Sequence, residues 1–217
     1  LTVVREKKRK KSELFTRKIG SEIREILKKV SCANISDAAH RMPALPGLYP
    51  LNPKLKLVGR AFTVKTLPGD WAKPVEAIDK ANPGDVLVVD AGGVGPAIWG
   101  ELATRSAKNK GLAGVVIYGA IRDSEEILEL EFPVFYKTIT PQAGEPKGYG
   151  EMEVCVKIGN ISIEPGDWIV GDRDGVMVLS ASKATEIANR AMDCLERENR
   201  IRAEIENEHS SLSKVIE

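Results

Sequence analysis

Two periods of apolar residues alternate along this chain, and the points where one gives way to the other mark its elements. From about Glu13 to Val30, the residues Leu14, Ile19, Ile23, Ile26, Leu27 and Val30 fall on one stripe, the spacing of an amphipathic helix. Ser36-Asp37 offers side-chain oxygens able to cap a short helix that runs through Arg41. Pro43, Pro46, Gly47 and Pro50 then impose an irregular crossing. Leu57 to Thr66 alternates and is β-branched, so it reads as a strand. Pro68-Gly69-Asp70 turns the chain, and a helix follows from about Lys73 to Ala81.

In the centre, Val86-Leu87-Val88-Val89 is a continuous apolar run, as expected of a strand covered on both faces. A glycine-rich loop from Ala91 to Pro96 leads into a predicted helix from about Ala97 to Lys110, which Gly111 stops. Gly114 to Tyr118 is the next buried strand, which completes a right-handed βαβ unit. A helix from about Ser124 to Leu130 and a strand at Val134-Phe135 follow. Beyond Pro141, short segments at Val154–Lys157, Asn160–Ile163, Trp168–Gly171 and Val176–Leu179 are separated by tight turns and predict an antiparallel sheet. A long helix from about Lys183 to beyond Glu204 closes the pattern. Its stripe of Ala184, Ile187, Ala188, Ala191, Met192 and Leu195 extends to Glu198, a carboxylate where an apolar residue belongs.

Composition narrows the class. A chain of 217 residues supports one well-buried α/β domain (residues 13–217), preceded by a basic arm at 1–12 rich in Lys and Arg. With 42% hydrophobic residues and a net charge of +1, nothing points to nucleic acid as the main partner. No apolar run reaches the roughly 20 residues that span a bilayer. The widely spaced Cys32, Cys155 and Cys194 read as reduced thiols of a cytoplasmic protein. The chain opens on Leu1 rather than Met, as a piece of a longer polypeptide would.

The candidate chemistry lies at Glu101 and, after twenty intervening residues, Arg122-Asp123. Each end sits beside a predicted strand end or helix start, so two carboxylates and one guanidinium converge on the rim of a parallel sheet, where open α/β sheets bind ligands. Carboxylates without histidine suit a hard divalent cation, and a neighbouring arginine suits a carboxylate or a developing enolate. Alternatively, Asp123 serves only as an N-cap, and Glu198 forms only an exposed pair with Arg202. Arg173-Asp174-Gly175 reads as hairpin chemistry, and His40 as a packed or surface residue. Lys73, at a helix start, is either solvated or a ligand for a distal carboxylate or phosphate.

The segments Asn34-Ile35-Ser36-Asp37-Ala38, Leu57-Val58-Gly59-Arg60-Ala61, Pro83-Gly84-Asp85, Gly100-Glu101-Leu102, Gly119-Ala120-Ile121-Arg122-Asp123 and Val170-Gly171-Asp172-Arg173-Asp174-Gly175 occur in this order. Together they resemble the RraA-like family, from about Ile23 to Ile205. That family holds the class II 4-hydroxy-4-methyl-2-oxoglutarate/4-carboxy-4-hydroxy-2-oxoadipate aldolases and the regulator of ribonuclease E activity, and its members were formerly described as demethylmenaquinone methyltransferase-like. The resemblance implies a three-layer β/β/α swivelling-domain fold with a parallel central sheet, a smaller antiparallel sheet and a long C-terminal helix, assembled as a homotrimer or hexamer. It implies that Asp123 binds Mg²⁺ or Mn²⁺, that Glu101 orients a water on the metal, and that Arg122 binds the pyruvate-like end of a small 2-keto acid. Glu198 is the candidate for a carboxylate that a neighbouring subunit adds through water.

Such a set predicts a metal-dependent lyase that cleaves the bond next to a 2-keto acid through a pyruvate enolate, with oxaloacetate decarboxylation alongside. The loop residues Gly92, Gly93 and Gly95, with Gly100 and Leu102 at the following turn, are expected to offer N–H groups to the substrate carboxylate. Two other readings stay open. One is a non-catalytic regulator of a ribonuclease-like partner. The other is an accessory domain of a hexulose-6-phosphate synthase, because the segment Gly69-Asp70-Trp71-Ala72-Lys73-Pro74 resembles one found in archaeal chains of that kind.

Overall fold

The computed structural model describes residues 20–209 and 211–215; the basic arm and the first part of the expected N-terminal helix lie outside them. The described part begins with helix α1 over 20–29, followed by α2 (Cys32–Ala38). Ser31, not Ser36-Asp37, caps α2. Its hydroxyl accepts from the Asn34 N–H while the Asn34 side chain accepts from the Ser31 N–H, so a reciprocal capping box moves the start upstream.

Nine strands build the main sheet. They are β1 (Tyr49–Pro50), β2 (Leu57–Thr66), β3 (Asp85–Asp90), β4 (Ala97–Trp99), β5 (Gly114–Ile121), β6 (Val134–Ile139), β7 (Gly150–Met152), β10 (Trp168–Asp172) and β11 (Gly175–Leu179). The path runs β1-β6-β5-β3-β2-β10-β11, with β4 paired to β5 and β7 to β2. Its centre, β6-β5-β3-β2, is parallel, and β3 sets Asp85 opposite Arg60 and Val86 opposite Gly114. The chain has the α/β architecture with a large mixed sheet, a small second sheet and a long C-terminal helix. One expectation is corrected: the β10–β11 hairpin joins the main sheet through antiparallel pairing with β2. Among the described residues, β8 (Val156–Ile158) and β9 (Ile161–Ile163) alone form the separate antiparallel ribbon.

Three apolar layers follow from the alternation. Leu87, Val89, Val115 and Ile117 face α3 (Ala72–Lys80), α4 (Glu101–Lys110) and α5 (Ser124–Glu129). Val86, Val88 and Val116 point the other way, onto Phe135, Ile158 and Ile169. That double burial is why β3 has no polar alternation. Helices α1, α2 and α6 (Ala184–Glu208) cover β10 and β11 in the third layer, where the stripe of Ala184, Ala188 and Ala191 lets α6 approach closely. Trp168 is buried there, with the guanidinium groups of Arg24 and Arg60 over its ring at 5.8 and 5.2 Å from the ring centre. A short helix, α7 (Leu212–Val215), ends the described chain.

Candidate active site

The glycine loop does not lead directly into a helix. It feeds β4, which continues the sheet alongside Ala120 and Ile121 where β3 has ended, and only then does α4 begin at Glu101. The reason lies in the side chains: Ile98 and Trp99 are buried, and the Trp99 indole donates to Thr104 Oγ1 at 2.8 Å, which in turn donates to Gly100 O. Strand pairing and apolar burial therefore override helical spacing over three residues. The extra strand delivers the N-terminus of α4 to the end of β5.

Arg122 and Asp123 leave β5 at that same place. Asp123 sits at the N-cap position of α5 with φ 57° and ψ 43°, a left-handed conformation that costs energy for a residue with a Cβ. Its carboxylate does not cap its own helix. Instead Oδ2 accepts the backbone N–H of Glu101 at 3.1 Å and lies 3.6 Å from Arg122 Nε. Only glycine permits this approach, because a Cβ on Gly100 would stand 2.5 Å from that oxygen. Glu101 pairs with Arg105 one turn along α4. The arginine is exposed, so the pair is weak, about 0.3–0.5 kcal/mol, and Glu101 can turn away from it at little cost.

These groups line a cavity of about 780 Å³, together with Trp71 and Val75 of the α3 region, Leu102, Ala103 and Ser106 of α4, and Glu126 of α5. The segment after β6 forms another wall. Ala97 N–H donates to Gln142 O, Gly144 N–H to Ala97 O, and the Trp71 indole N–H to Gly144 O at 3.1 Å. Asp70 anchors the far end of that segment. Burial pushes its carboxyl up, yet the N–H groups of Ala72, Gly148, Tyr149 and Lys147 outweigh burial and hold it below the ordinary carboxylate range.

The structure brings Glu101, Arg122, Asp123, Gly100 and Leu102 to one cavity. The loop glycines lie elsewhere: the N–H of Gly92 is held by Asp90 Oδ1 and that of Gly93 by Tyr118 O, and Gly95 packs near Thr140 and Ala120. Lys73 pairs with Glu76 at 2.9 Å and does not line the cavity. Glu198 is half-buried within a second cavity of about 520 Å³, beside Asp37, His40 and Cys194. Arg202 does not pair with it but donates to Asn199 Oδ1. Sequence reasoning missed Val75, Trp99, Ser106, Glu126 and Gly144, which carry no motif. Trp71 stood out only as part of the Gly69-Asp70-Trp71-Ala72-Lys73-Pro74 segment.

Among the described residues, no three His, Cys, Asp or Glu side chains gather as a ready metal cage. Mg²⁺ does not need one, since it keeps several waters and takes one or two carboxylates from the protein. Asp123 fits that role: its bonds fall on Oδ2, and among the described residues no donor reaches Oδ1.

A family model described as Aldolase/RraA matches residues 32–178. The chain belongs to the RraA-like family. A relative from Halalkalibacterium halodurans, named a putative 4-hydroxy-4-methyl-2-oxoglutarate aldolase, is 39% identical over 72% of this chain and 76% of its own. An uncharacterized protein from Methanocaldococcus jannaschii is 42% identical over 83% and 87%. A crystal structure from Streptomyces coelicolor, described as an unusual member of the RNase ES inhibitor RraA protein family, superposes with TM-score 0.72. It is 32% identical over 83% of this chain and 96% of that one. RraA-like relatives thus carry both aldolase and inhibitor names, and among the described residues no helix is long and apolar enough to cross a membrane.

Proposed function

We propose that this RraA-like chain is a divalent-metal-dependent lyase that cleaves the C–C bond next to a 2-keto acid and releases pyruvate. One observation carries the reading: a strained Asp123 whose carboxylate turns from its own helix to the start of α4, beside Arg122, at the end of an open cavity. Backbone strain of this kind persists where the surrounding structure enforces it.

The roles follow from the donors and charges. The N–H groups of Leu102 and Ala103 are in the first turn of α4, where helical N–H groups lack intrahelical partners and favour an anion such as the substrate carboxylate. Arg122 adds a fixed positive charge for the carboxylate or the keto oxygen, on which negative charge grows as the bond breaks. Asp123 would hold Mg²⁺ or Mn²⁺. When bound, such a cation supplies Lewis-acid stabilisation of that charge. Glu101, freed cheaply from Arg105, would hold a water, accept the C4 hydroxyl proton through it and return a proton to C3. Glu198 of a neighbouring copy in a homotrimer or hexamer would complete the water-holding set, because within one chain it lies in a different cavity.

The test measures pyruvate release from oxaloacetate with and without Mg²⁺, for wild type and Asp123→Ala. The expected result is metal-dependent release that falls about 10²-fold or more in the variant. Equal rates with and without metal refute the reading. The name of the Streptomyces neighbour favours a second reading, a regulator that binds a ribonuclease-like enzyme. Undiminished partner binding by Asp123→Ala would support it.

A further inference from the structure

The 780 Å³ cavity is far roomier than a pyruvyl group requires, so its remaining wall faces the part of the substrate that leaves. That wall is apolar. Trp71 and Val75 stand on the α3 side, and Leu102 and Ala103 on the facing side of α4, the two helices packing against each other. Leu102 is 77% exposed and Val75 37%, so large apolar side chains remain open to solvent at a cavity otherwise equipped for an anion. The Trp71 indole N–H is spent on Gly144 O, so Trp71 offers the cavity a ring, not a donor.

Charge points the same way. The ionisable residues lining the cavity are Glu101, Arg122, Asp123 and Glu126: three carboxylates and one guanidinium, which already faces a carboxylate. Lys73, the cation best placed in sequence to meet a distal anion, is paired with Glu76 outside the lining. With Asp123 and Glu101 assigned to the metal and its water, the ionisable group left over is Glu126, so a second carboxylate or a phosphate on the substrate would find no further cation in the lining beyond Arg122 and the metal.

We infer that the leaving half is an uncharged, apolar carbonyl compound, so that the substrates are monoanionic 4-hydroxy-2-oxo acids with an aliphatic or aromatic group at C4. This rests on the lyase reading and adds to it the class of the released fragment. Oxaloacetate carries nothing beyond the carboxylate that departs as CO₂, so it reports on the reacting end alone.

The experiment compares pyruvate release, with saturating Mg²⁺, from oxaloacetate, 4-hydroxy-2-oxoheptanoate, 4-hydroxy-4-methyl-2-oxoglutarate and a 4-hydroxy-2-oxo acid phosphorylated at its far end. Wild type is expected to show kcat/KM at least about tenfold higher on the heptanoate than on the dicarboxylate or the phosphate. Val75→Lys, which places a cation on the exposed wall, is expected to narrow that ratio about tenfold or invert it, with the oligomeric state in sedimentation unchanged. Preference of wild type for the dicarboxylate or phosphate overturns the inference and leaves the lyase reading standing, as does release from oxaloacetate alone. No pyruvate from any substrate overturns both. An altered oligomeric state with an unaltered ranking assigns the wall to subunit packing and also overturns the inference.

Discussion

Gly100→Ala isolates what the geometry around Asp123 contributes, because it adds one methyl and removes no charge. The new Cβ would stand 2.5 Å from Asp123 Oδ2 and 3.3 Å from Arg122 Cγ, whereas ordinary contact begins at 3.4 Å. The carboxylate must therefore retreat by about 0.9 Å, which stretches the 3.1 Å hydrogen bond from Glu101 N–H to about 4 Å, beyond hydrogen-bonding range. Asp123 is 35% exposed along its side chain and can swing into the cavity, so the folding cost should stay within about 1 kcal/mol. Chemistry is less forgiving: a misplacement near 1 Å costs about 10²-fold, equivalent to about 2.7 kcal/mol of transition-state stabilisation. A coupled pyruvate assay across a Mg²⁺ titration, paired with a thermal melt, measures both quantities. The expected outcome is a large fall in kcat/KM and a raised Mg²⁺ requirement in a protein that melts nearly as wild type. A folded Gly100→Ala protein with kcat/KM within about twofold of wild type would refute the reasoning.

Two further outcomes follow from residues outside that contact. If Glu198 serves a neighbour's site, co-refolding equal amounts of Asp123→Ala and Glu198→Ala should regain about a quarter of wild-type activity from random pairing in a ring. Activity no greater than that of the separate variants would place Glu198 outside the reaction. The folded-state carboxyl of Asp70 lies below its ordinary value of 3.8, so its stabilisation is fully present above that pH and lost as pH falls through the lower folded value. Asp70→Asn should therefore lose about 2–4 kcal/mol at pH 7, with the gap from wild type closing below about pH 4. Parallel stability–pH curves for the two proteins would contradict that account.

The sequence made the long-range architecture readable wherever one period held over a whole element. Leu57–Thr66 as a strand and the uninterrupted Val86–Val89 run both reflect burial that the residues announce themselves. Legibility failed where a tertiary contact outweighed local spacing. Ala97-Ile98-Trp99 sits in a helical pattern, but pairing with β5 and the indole bond to Thr104 make it a strand. Ser36-Asp37 has good capping side chains, yet Ser31 and Asn34 form a reciprocal pair that no single residue reveals. At the candidate site, the charged positions could be named in advance because Glu101 starts α4 and Arg122-Asp123 follows the end of β5, both boundaries that the apolar pattern marks. The walls could not, since Val75, Ser106 and Gly144 become neighbours only through the packing of α3 on α4 and the lacing of the 142–149 segment to Asp70.

The reacting end is assembled from the exit of β5 and the first turn of α4, locked together by Asp123 and by the steric requirement at Gly100. The wall that would meet the leaving fragment is set largely by Trp71 and Val75, which belong to the α3 region and share no hydrogen bond with Arg122 or Asp123 among the described residues. On the proposed function, a change in α3 would leave the charge arrangement intact, so bond breaking and the choice of leaving group would be separable in this fold. A relative named for a dicarboxylate substrate therefore informs the first of these more strongly than the second. In this chain the tryptophan and the two open aliphatic side chains on that wall are what the inferred preference for an uncharged fragment rests on.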